Sequence, residues 1–452
     1  MIIMYEQFVD RKKEIEFLRS AYNSNRAEFI VIYGRRRIGK TRLVKESIKG
    51  CNALYFLADE STDNENRNRF KKQLAKMLND PLIERADLDW YELFSYIKDG
   101  WIIVIDEFPY LIGVNKAIPS IFQRIWDEIL GNKNVKLIIM GSSIGMMETE
   151  VLGYKSPLYG RRTGQIYLKP LKFRDVCKFF PNKSVEDIVK IYGITDGIPA
   201  YIQEVKYRLE NGEKLEEVFL PNKPLYDEVS FLLRSELREP ARYYAILKAI
   251  AYSNTKFGEI VNFTGFSPST VSQYLSNLKK LHIVIERHPY GEREAKRNVR
   301  YDLGDNYFKF YFRFIYENRT NLESIGKIPN FDVEYNKYLG EIYEKIAVEF
   351  IDSLILEGKV EGRGCGKWWK KDVEIDVVCE GAEKAYFFEV KWKDIGVRDA
   401  YRILANLKDK AEKYKFYGDR VYGIIAKSIE NKDRLRDDGF LIYDIKDISG
   451  RD

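Results

Sequence analysis

The chain has 452 residues, of which 45% are hydrophobic and 32% are charged, so it can form several globular cores and is not a disordered chain. Its apolar runs are far shorter than the ~18 residues that a membrane-spanning helix needs. The apolar run at residues 1–4 is too short for a signal peptide. The four cysteines are scattered and form no CxxC pair, which argues against a disulfide framework or a zinc ribbon and predicts a protein of the reducing cytoplasm. Only His282 and His288 are present, which excludes chemistry built on histidine clusters.

The net charge of +6 is concentrated in the middle of the chain. Residues 241–300 contain ten Lys and Arg against four Asp and Glu, whereas residues 331–452 contain 23 basic and 26 acidic residues. A local positive excess is the electrostatic footprint of a segment that binds nucleic acid. We therefore expect DNA to be contacted by the middle segment.

Short apolar runs alternate with helical patterns over the first 170 residues or so, which predicts an α/β fold with a parallel sheet. The predicted strands are residues 29–33, 53–57, 101–105, 136–140 and 165–168. Further along, a helical stretch precedes a second α/β pattern. We predict an α/β core over 1–172, a helical lid over 173–240, a winged helix over 241–303, a linker over 304–330 and a C-terminal α/β domain over 331–452.

Residues 34–41 read GRRRIGKT and fit the phosphate-binding pattern GxxxxGK[ST], with a strand before them and a helix after them. Glycines allow backbone N–H groups to surround phosphates, Lys40 reaches the β- and γ-phosphate oxygens, and Thr41 binds Mg²⁺. The loop arginines are equally compatible with solvated surface charges. The pattern predicts an ATP or GTP site whose contacting residues are Gly34, Arg35, Arg36, Arg37, Ile38, Gly39, Lys40, Thr41 and Arg42.

A second motif follows about 65 residues later, where the apolar run 101–105 ends in Asp106 and Glu107. Carboxylates at the end of a parallel strand lie at the edge of the sheet where ligands bind. We predict that Asp106 holds Mg²⁺ and that Glu107 polarises the attacking water. The two motifs together predict a P-loop nucleotide hydrolase.

Several motifs carry a resemblance to a known family. They are residues 33–41, the strand ending in Asp106-Glu107, Gly141-Ser142-Ser143, and the segments 158–163, 8–11 and 195–201. Together they resemble the archaeal ATPase family of STAND and AAA+-like P-loop ATPases. The resemblance covers essentially the whole chain, because these proteins also carry a winged helix and a C-terminal nuclease-like domain. It implies ATP and Mg²⁺ as cofactors.

The resemblance also implies roles for residues outside the phosphate loop. Arg11 would lie near the adenine, and Ser142 or Ser143 would sense the γ-phosphate. Pro199 would mark the contact of the helical lid with the nucleotide.

Arg161 or Arg162 would supply positive charge to the transition state, either in cis or from a neighbouring subunit. Of the two we assign Arg162 to this role. A structural salt bridge or an electrostatic surface pair is the other interpretation of these arginines.

Residues 257–264 and 268–281 predict a helix-turn-helix, with Gly265 at the turn and Ser267-Pro268 starting the second helix. Val271, Leu275 and Leu278 recur at helical spacing, which leaves a polar face suited to the DNA major groove. A hairpin of residues 283–286 and 299–303 would form a basic wing. The expected phosphate contacts are Lys280, Arg293, Lys296 and Arg297. Because winged helices also bind proteins, a second copy of the chain or another protein is the alternative partner.

Two strands joined by a tight loop are predicted in the C-terminal domain, over residues 373–379 and 385–392. Alternation places Glu374 and Asp376 on one face of the first strand, and Glu389 and Lys391 on one face of the second. The loop predicts a register that sets Asp376 opposite Glu389. Like charges across a ladder are destabilising, but a divalent cation between them would make the pair favourable.

This arrangement resembles the PD-(D/E)xK nuclease superfamily, with Ile375 in place of its usual proline. The resemblance implies that Asp376 and Glu389 bind Mg²⁺, that Lys391 acts in catalysis, and that Glu344 joins the metal site from the preceding helix. Alternating acids and lysines on a solvated strand face are the other interpretation.

Two functions are therefore open. The first is a cytoplasmic ATPase that acts on DNA, with catalytic residues Lys40, Glu107 and Arg162 and a nuclease-like site of Asp376, Glu389 and Lys391. The second is a nucleotide-dependent switch that regulates or assembles partners, with a C-terminal domain that binds without cleavage.

Overall fold

The computed structural model describes residues 8–237, 239–292 and 298–450. These residues belong to two compact units, one of residues 1–170 with 198–200 and one of residues 171–197 with 201–452. Within the described ranges no helix is both long and apolar enough to cross a membrane. Three of the expected wing contacts, Arg293, Lys296 and Arg297, lie outside the described residues.

The first unit is built on a sheet of five parallel strands. They are β1 (Glu28–Tyr33), β2 (Ala53–Leu57), β3 (Ile102–Asp106), β4 (Lys136–Gly141) and β5 (Gly164–Tyr167), in the order β2-β3-β4-β1-β5. The predicted strands are confirmed, and no end is displaced by more than one residue. Strands β1, β3 and β4 are buried along their whole length, as expected for a parallel sheet covered on both faces.

Eight α-helices accompany this sheet among the described residues. They are α1 (Lys12–Tyr22), α2 (Lys40–Ser47), α3 (Asp63–Leu78), α4 (Pro81–Arg85), α5 (Trp90–Ser95), α6 (Phe108–Val114), α7 (Ile118–Glu128) and α8 (Ile144–Met146). Because every strand is parallel, the residues that follow β1, β3 and β4 all lie at the same edge of the sheet.

The second unit begins with a helical part, as the sequence predicts. Its helices are α9 (Phe173–Cys177), α10 (Val185–Thr195), α11 (Pro199–Glu210), α12 (Glu228–Glu236) and α13 (Pro240–Ala251). The first two residues of α11 belong to the first unit.

The helix-turn-helix follows, with α14 (Phe257–Thr264), α15 (Pro268–Lys280) and a hairpin of β6 (Val284–Arg287) and β7 (Arg300–Leu303). Ser267 caps α15 by accepting a hydrogen bond from the N–H of Thr270. Val271, Leu275 and Leu278 are buried, so the predicted apolar face of the second helix is confirmed.

The segment 304–330, expected as a linker, is instead part of the core. It forms α16 (Asn306–Phe310), two short helical turns and α17 (Arg319–Ile325). Phe310 and Phe314 are buried, and their rings lie 5.8 Å and 5.6 Å from the ring of Tyr335. The expectation was wrong because burial of these large aromatic side chains stabilises the segment on the helix that follows.

The C-terminal part of the second unit is a mixed five-stranded sheet with helices. The elements are α18 (Phe331–Leu356), β8 (Cys365–Lys370), β9 (Val373–Glu380), β10 (Lys384–Ile395), α19 (Val397–Ala411), β11 (Asp419–Ile429), α20 (Lys432–Asp437), β12 (Leu441–Asp444) and α21 (Ile445–Ser449). The strand order is β12-β11-β10-β9-β8. Strands β8, β9 and β10 pair antiparallel, whereas β10, β11 and β12 pair parallel.

Strand β8 is the element of this sheet that the sequence did not predict, and it changes the expectation for the cysteines. Antiparallel pairing sets Cys365 directly opposite Cys379, and the two form a disulfide with Cα atoms 4.5 Å apart. The sequence argued against a disulfide framework, and this single pairing was not expected. It was missed because it depends on a strand that is hidden in a glycine-rich stretch, a composition unfavourable to strands.

A tight turn at Gly197 joins α10 to α11 and limits what can occupy that position. The Gly197 carbonyl accepts a hydrogen bond from the Leu171 N–H at 2.8 Å, and a Cβ added at Gly197 would overlap the backbone of Leu171. The preceding Asp196 is fully buried and paired with Lys345 of α18 at 2.7 Å.

We predict that Gly197→Ala lowers the free energy of unfolding by about 1–3 kcal/mol or more, because overpacking against the backbone forces the turn to shift. Gly340→Ala is the matched control, since nothing lies within 4 Å of a Cβ added there and alanine is the better helix former. Thermal unfolding of both variants makes the comparison. A Gly197→Ala variant as stable as Gly340→Ala would contradict the close backbone approach.

Candidate functional site

The loop of residues 34–39 connects β1 to α2 in a conformation that requires glycine. Gly34 and Gly39 have φ angles of 152° and 96°. A Cβ on Gly34 would lie 2.7 Å from the carbonyl oxygen of Leu168, so a larger residue would push the loop away from the segment that follows β5. Ile38 is buried and fixes the loop to the core.

Lys40 and Thr41 begin α2 and face this loop and the end of β3. Lys40 Nζ donates hydrogen bonds to the carbonyl oxygens of Gly34 at 2.8 Å and Arg35 at 3.2 Å. The Thr41 hydroxyl donates to Asp106 Oδ2 at 2.8 Å. The structure thus brings together the three groups that the sequence predicts at the phosphates and at Mg²⁺. They are the Lys40 ammonium, the Thr41 hydroxyl and the Asp106 carboxylate.

Asp106 is 1% exposed and is surrounded by hydrogen-bond donors. Besides Thr41, the Tyr55 hydroxyl donates to Oδ2, and the Glu107 N–H donates to Oδ1 at 2.9 Å. Burial raises the pKa of Asp106 above its ordinary value, and the hydrogen bonds from Tyr55 and Thr41 oppose this effect. A carboxylate and a hydroxyl are hard oxygen donors, so Thr41 and Asp106 fit Mg²⁺.

Glu107 has a positive φ of 54°, an uncommon conformation for this residue type. Its Oε2 accepts hydrogen bonds from the Ser142 N–H at 3.0 Å and the Ser142 hydroxyl at 2.9 Å. Ser142 follows β4, the neighbour of β3. Ser142, one of the two serines expected at the γ-phosphate, therefore orients the glutamate carboxylate, while Ser143 is the N-cap of α8.

The arginines of the loop are mostly at the surface. Arg36 and Arg37 are exposed, as is Arg42 on α2, whereas Arg35 is half-buried. Arg36 Nη2 donates to the hydroxyl of Tyr110 at 2.7 Å. This arrangement agrees with the interpretation of these arginines as surface charges that border the loop.

Arg11 and Pro199 lie close to the segments that form the loop. Arg11 is buried, and its Nη2 donates to the carbonyl of Lys169 at 2.7 Å; Lys169 follows Leu168, the residue that meets Gly34. The Pro199 Cγ would lie 3.8 Å from a Cβ built on Gly39. Pro199 thus lies beside the phosphate loop, and Arg11 beside the segment that packs against it.

The two arginines before β5 differ in their surroundings. The Arg161 guanidinium forms a two-pronged pair with Asp127 at 2.7 and 2.8 Å, which makes it a structural salt bridge. Arg162 is half-buried and just precedes β5, whose first residue pairs with Ile30. Its backbone therefore lies at the amino end of the strands, whereas the phosphate loop begins at their carboxyl end.

In the second unit, Asp376 and Glu389 lie on the same side of the C-terminal sheet. Strands β9 and β10 pair Val377 with Phe388, and this register continued by one residue sets Asp376 opposite Glu389. Lys391 Nζ lies 2.8 Å from Glu389 Oε1 and 3.7 Å from Asp376 Oδ2. The three residues that resemble a nuclease site thus face one another.

Two lysines that the sequence did not single out complete this group. Lys367 Nζ on β8 lies 2.7 Å from Glu344 Oε2 and 2.5 Å from Glu374 Oε1. Lys410 on α19 lies 2.9 Å from Glu389 Oε2. Neither lysine belongs to a motif. The pairing of β8 with β9 places Lys367 beside these carboxylates, and the packing of α19 on the sheet places Lys410 there. We call the charged cluster the set Glu344, Lys367, Glu374, Asp376, Glu389, Lys391 and Lys410.

The expected metal site of three carboxylates is not formed. Over the parts of the chain that the structure describes, no group of three or more His, Cys, Asp and Glu side chains is arranged to hold a metal ion. The expectation fails at Glu344, because Lys367 stands between it and Asp376, 3.9 Å from Asp376 Oδ1. Glu344 could join Asp376 and Glu389 only after Lys367 had moved.

The charged cluster changes the pKa of Asp376, its most buried member. Burial, together with the negative charges of Glu344 and Glu389, raises the pKa of Asp376 to about 7. Lys367 and Lys391 act in the opposite direction.

Comparison with known proteins connects this geometry to a family. The uncharacterized protein MJECL04 of Methanocaldococcus jannaschii is 42% identical over 452 residues, which cover 98% of this chain and 100% of that protein. Residues 8–205 match an ATPase domain predominantly from Archaea. The chain belongs to this archaeal ATPase family. The ATPase domain contains the whole phosphate loop, Asp106 and Glu107, and supports nucleotide binding and hydrolysis.

Two further families match the second unit of this archaeal ATPase. Residues 244–286 match the family "Bacterial regulatory protein, arsR family", and residues 311–403 match "Archaea bacterial proteins of unknown function". The first match covers the helix-turn-helix, and the second covers α18, β8, β9 and β10.

Two other similarities concern the fold and a short region. The Walker-type ATPase PABY2304 of Pyrococcus abyssi superimposes with a TM-score of 0.52 at 21% identity, over 68% of this chain and 97% of that chain. This likeness shows a shared P-loop ATPase fold. The uncharacterized ATP-binding protein MJ0423 of M. jannaschii is 52% identical over 42 residues, which are 9% of this chain and 71% of that protein.

We predict that Asp376 makes the protein less stable as the pH rises from about 4 to about 7. A carboxyl group with a higher pKa in the folded than in the unfolded chain holds its proton more tightly when folded, so the folded state loses this advantage as the pH rises. The midpoint temperature of thermal unfolding should fall with rising pH in the unsubstituted chain, and this slope should be smaller in Asp376→Asn. Asp372→Asn, at an exposed carboxylate in the turn before β9, should keep the slope. Equal slopes in all three proteins would contradict the raised pKa.

Proposed function

We propose that this protein hydrolyses ATP with Mg²⁺ and acts on DNA through its winged helix and a nuclease-like C-terminal domain of the PD-(D/E)xK type, in the cytoplasm. The observation that carries the first part is the hydrogen bond between Thr41 and Asp106 beside the buried Lys40. These residues come from two motifs that are 65 positions apart. The ATP-binding description of the relative MJ0423 supports ATP rather than GTP.

Each residue of the site in the first unit has its own role in ATP hydrolysis. Lys40 would exchange its two carbonyl partners for phosphate oxygens, and Thr41 and Asp106 would hold the Mg²⁺. The bound ion would neutralise charge on the phosphates. Glu107 polarises the attacking water, and Ser142 holds the Glu107 carboxylate in the required direction. Ser142 is thus a positioning residue for Glu107 as well as a candidate sensor of phosphate.

The remaining nucleotide contacts are supplied around the loop. Arg11 would border the adenine, and Pro199 would bring the start of α11 to the nucleotide. Arg162 would supply positive charge to the transition state, either in cis or from a neighbouring subunit. In the second case an assembly of several copies is part of the proposal, because an arginine supplied in trans completes such sites.

The DNA-binding part of the proposal rests on the face of α15 that remains in contact with solvent. The residues exposed on this face are polar or basic: Ser269, Ser272, Gln273, Ser276 and Lys280. A helix that buries one side and offers short polar groups on the other is suited to the major groove. The positive charge of residues 241–300 adds the phosphate contacts that such modules need.

The nuclease-like part of the proposal rests on the geometry of Asp376, Glu389 and Lys391. Two carboxylates facing one another can share a divalent cation, and an adjacent ammonium can stabilise negative charge on a phosphate. Asp376 is further fixed by the Val390 N–H, which donates to its Oδ2 at 2.8 Å.

A second candidate is a nucleotide-dependent switch that regulates or assembles partners without cleaving them. The observation that favours it is the lysine pairing in the charged cluster, where Lys367 and Lys410 contact the carboxylates from both sides. A cluster satisfied in this way can be purely structural.

We predict that Lys40→Ala abolishes ATP turnover and greatly weakens nucleotide binding, whereas Glu107→Gln keeps binding and slows turnover by about 100-fold or more. Lys49→Ala, at an exposed lysine beyond α2, is the control and should match the unsubstituted chain. Phosphate release and binding of a fluorescent ATP analogue, with and without duplex DNA, give both readouts. Turnover by Glu107→Gln at the unsubstituted rate would show that another residue polarises the water.

Cleavage decides between the two candidates. The unsubstituted chain should cut plasmid DNA in the presence of Mg²⁺ or Mn²⁺, and Asp376→Ala should lose this cutting because the ion loses its buried ligand. Asp372→Asn should cut normally. If metal-dependent cutting is unchanged in Asp376→Ala, the nuclease assignment is wrong; if no protein cuts with ATP present, the switch is the better description.

A further inference from the structure

The hydroxyl of Tyr55 reaches Asp106 from the neighbouring strand. Strands β2 and β3 run parallel, and their register pairs Leu57 with Asp106. Tyr55 lies two residues before Leu57, so alternation places it on the same face of the sheet as Asp106. Two residues of a parallel strand span about 6.6 Å, a distance that a tyrosine side chain bridges. The hydroxyl therefore arrives at Asp106 Oδ2, to which it donates a hydrogen bond.

The ring of Tyr55 is fixed by its surroundings. The Nζ of Lys45, on α2, lies over this ring at 4.8 Å from its centre. The next residue along the strand, Phe56, is fully buried, and its ring lies 5.5 Å from that of Phe70. Because successive residues of a strand point to opposite faces, the burial of Phe56 sets the direction of Tyr55. The half-buried phenol thus has little freedom to turn away from Asp106.

Three donors converge on the carboxylate of Asp106, and they come from different parts of the chain. Thr41 and Tyr55 donate to Oδ2 from α2 and β2, and the Glu107 N–H donates to Oδ1 at 2.9 Å. Asp106 is 1% exposed, so solvent is a poor substitute for a donor that is lost. Donors that reach both oxygens from different elements fix the orientation of the carboxylate.

The three donors differ in whether they have another task. In the proposed reaction Thr41 holds the Mg²⁺ together with Asp106, and Glu107 polarises the attacking water. Tyr55 has neither task, and β2 carries none of the residues assigned to the nucleotide. The bond from Tyr55 to Asp106 therefore does not have to change when phosphates occupy the loop.

We propose that Tyr55 is a positioning residue for ATP hydrolysis, which holds Asp106 in the orientation that Thr41 and Mg²⁺ require. This inference rests on the proposed function, since it takes the role of Asp106 from it. Removal of a group that orients a metal ligand without touching the ion lowers metal affinity by about 10–100-fold. Tyr55→Phe keeps the ring and its contact with Lys45 and removes only the hydroxyl, so its effect should be confined to the step that uses Asp106.

Nucleotide binding to the full chain, with and without metal, isolates this step. In EDTA, a fluorescent non-hydrolysable ATP analogue should bind Tyr55→Phe as it binds the unsubstituted chain, because the loop and Lys40 make these contacts. The gain in affinity on adding Mg²⁺ should be about ten-fold smaller in Tyr55→Phe. Asp106→Asn shows the gain that is left without the carboxylate.

Tyr22→Phe is the matched control. The Tyr22 hydroxyl is hydrogen-bonded to Ser47 Oγ of α2 at 2.8 Å. This variant therefore also removes one tyrosine hydroxyl that contacts another side chain of the first unit, and it leaves the donors of Asp106 in place. Tyr22→Phe should show the full gain in affinity from Mg²⁺.

The outcomes separate the inference from the function on which it rests. If Tyr55→Phe and Tyr22→Phe gain equally from Mg²⁺, the positioning role of Tyr55 is refuted and the ATP site stands. If Tyr55→Phe is weakened by the same factor in EDTA and in Mg²⁺, Tyr55 supports the loop as a whole, which also overturns the inference. If the unsubstituted chain gains no more than Asp106→Asn, the assignment of Asp106 to the ion is wrong and the inference falls with it.

Turnover gives a second readout that a general loss of structure would not imitate. At saturating ATP, the Mg²⁺ concentration for half-maximal turnover should rise about ten-fold in Tyr55→Phe. Excess Mg²⁺ should restore most of the maximal rate, because Thr41 and Asp106 are intact. Tyr22→Phe should keep the half-saturating concentration of the unsubstituted chain. A low maximal rate that excess Mg²⁺ does not restore would contradict a positioning role for Tyr55.

Discussion

A carboxylate that is removed from water must be surrounded by donors, and both candidate sites are organised by this constraint. Asp106 ends β3 and is 1% exposed, and Asp376 lies within β9 and is 8% exposed. Burial of an unpaired charge costs several kcal/mol, so each aspartate dictates which groups can stand beside it. The groups that satisfy Asp106 and Asp376 are also those that phosphate or a metal ion would contact. Local stability and chemistry therefore depend on the same atoms.

The two aspartates are satisfied by different kinds of donor. Asp106 receives hydrogen bonds from the neutral hydroxyls of Thr41 and Tyr55, and a hydroxyl can turn its oxygen toward an arriving cation without leaving a charge unpaired. Asp376 is approached by the ammonium groups of Lys367 and Lys391, which carry the same sign as a metal ion and compete with it. A cation at Asp106 would displace no charge, whereas a cation at Asp376 would have to displace an ammonium group.

Local patterns predicted the parts of the molecule that depend on neighbouring residues. The strands of the first unit, the phosphate loop and the register of β9 and β10 follow from apolar runs, glycine spacing and alternation. Tyr55 and Lys367 were missed because their roles arise from strand order: β2 lies beside β3, and β8 beside β9. The segment 304–330 was misjudged for a related reason, since its aromatic side chains acquire a partner only when α18 packs against them. Sequence spacing carries no record of such long-range contacts.

The disulfide between Cys365 and Cys379 acts on the unfolded chain as well as on the folded sheet. It closes a loop with a sequence separation of 14, and Lys367, Glu374 and Asp376 all lie inside that loop. Closing a loop of this length removes conformational entropy from the unfolded state that is worth about 3 kcal/mol. The segment that carries these three side chains therefore loses less backbone freedom on folding than an open chain would. The crosslink thus stabilises a segment crowded with charges, in which the attraction within each ion pair is largely offset by the cost of desolvation.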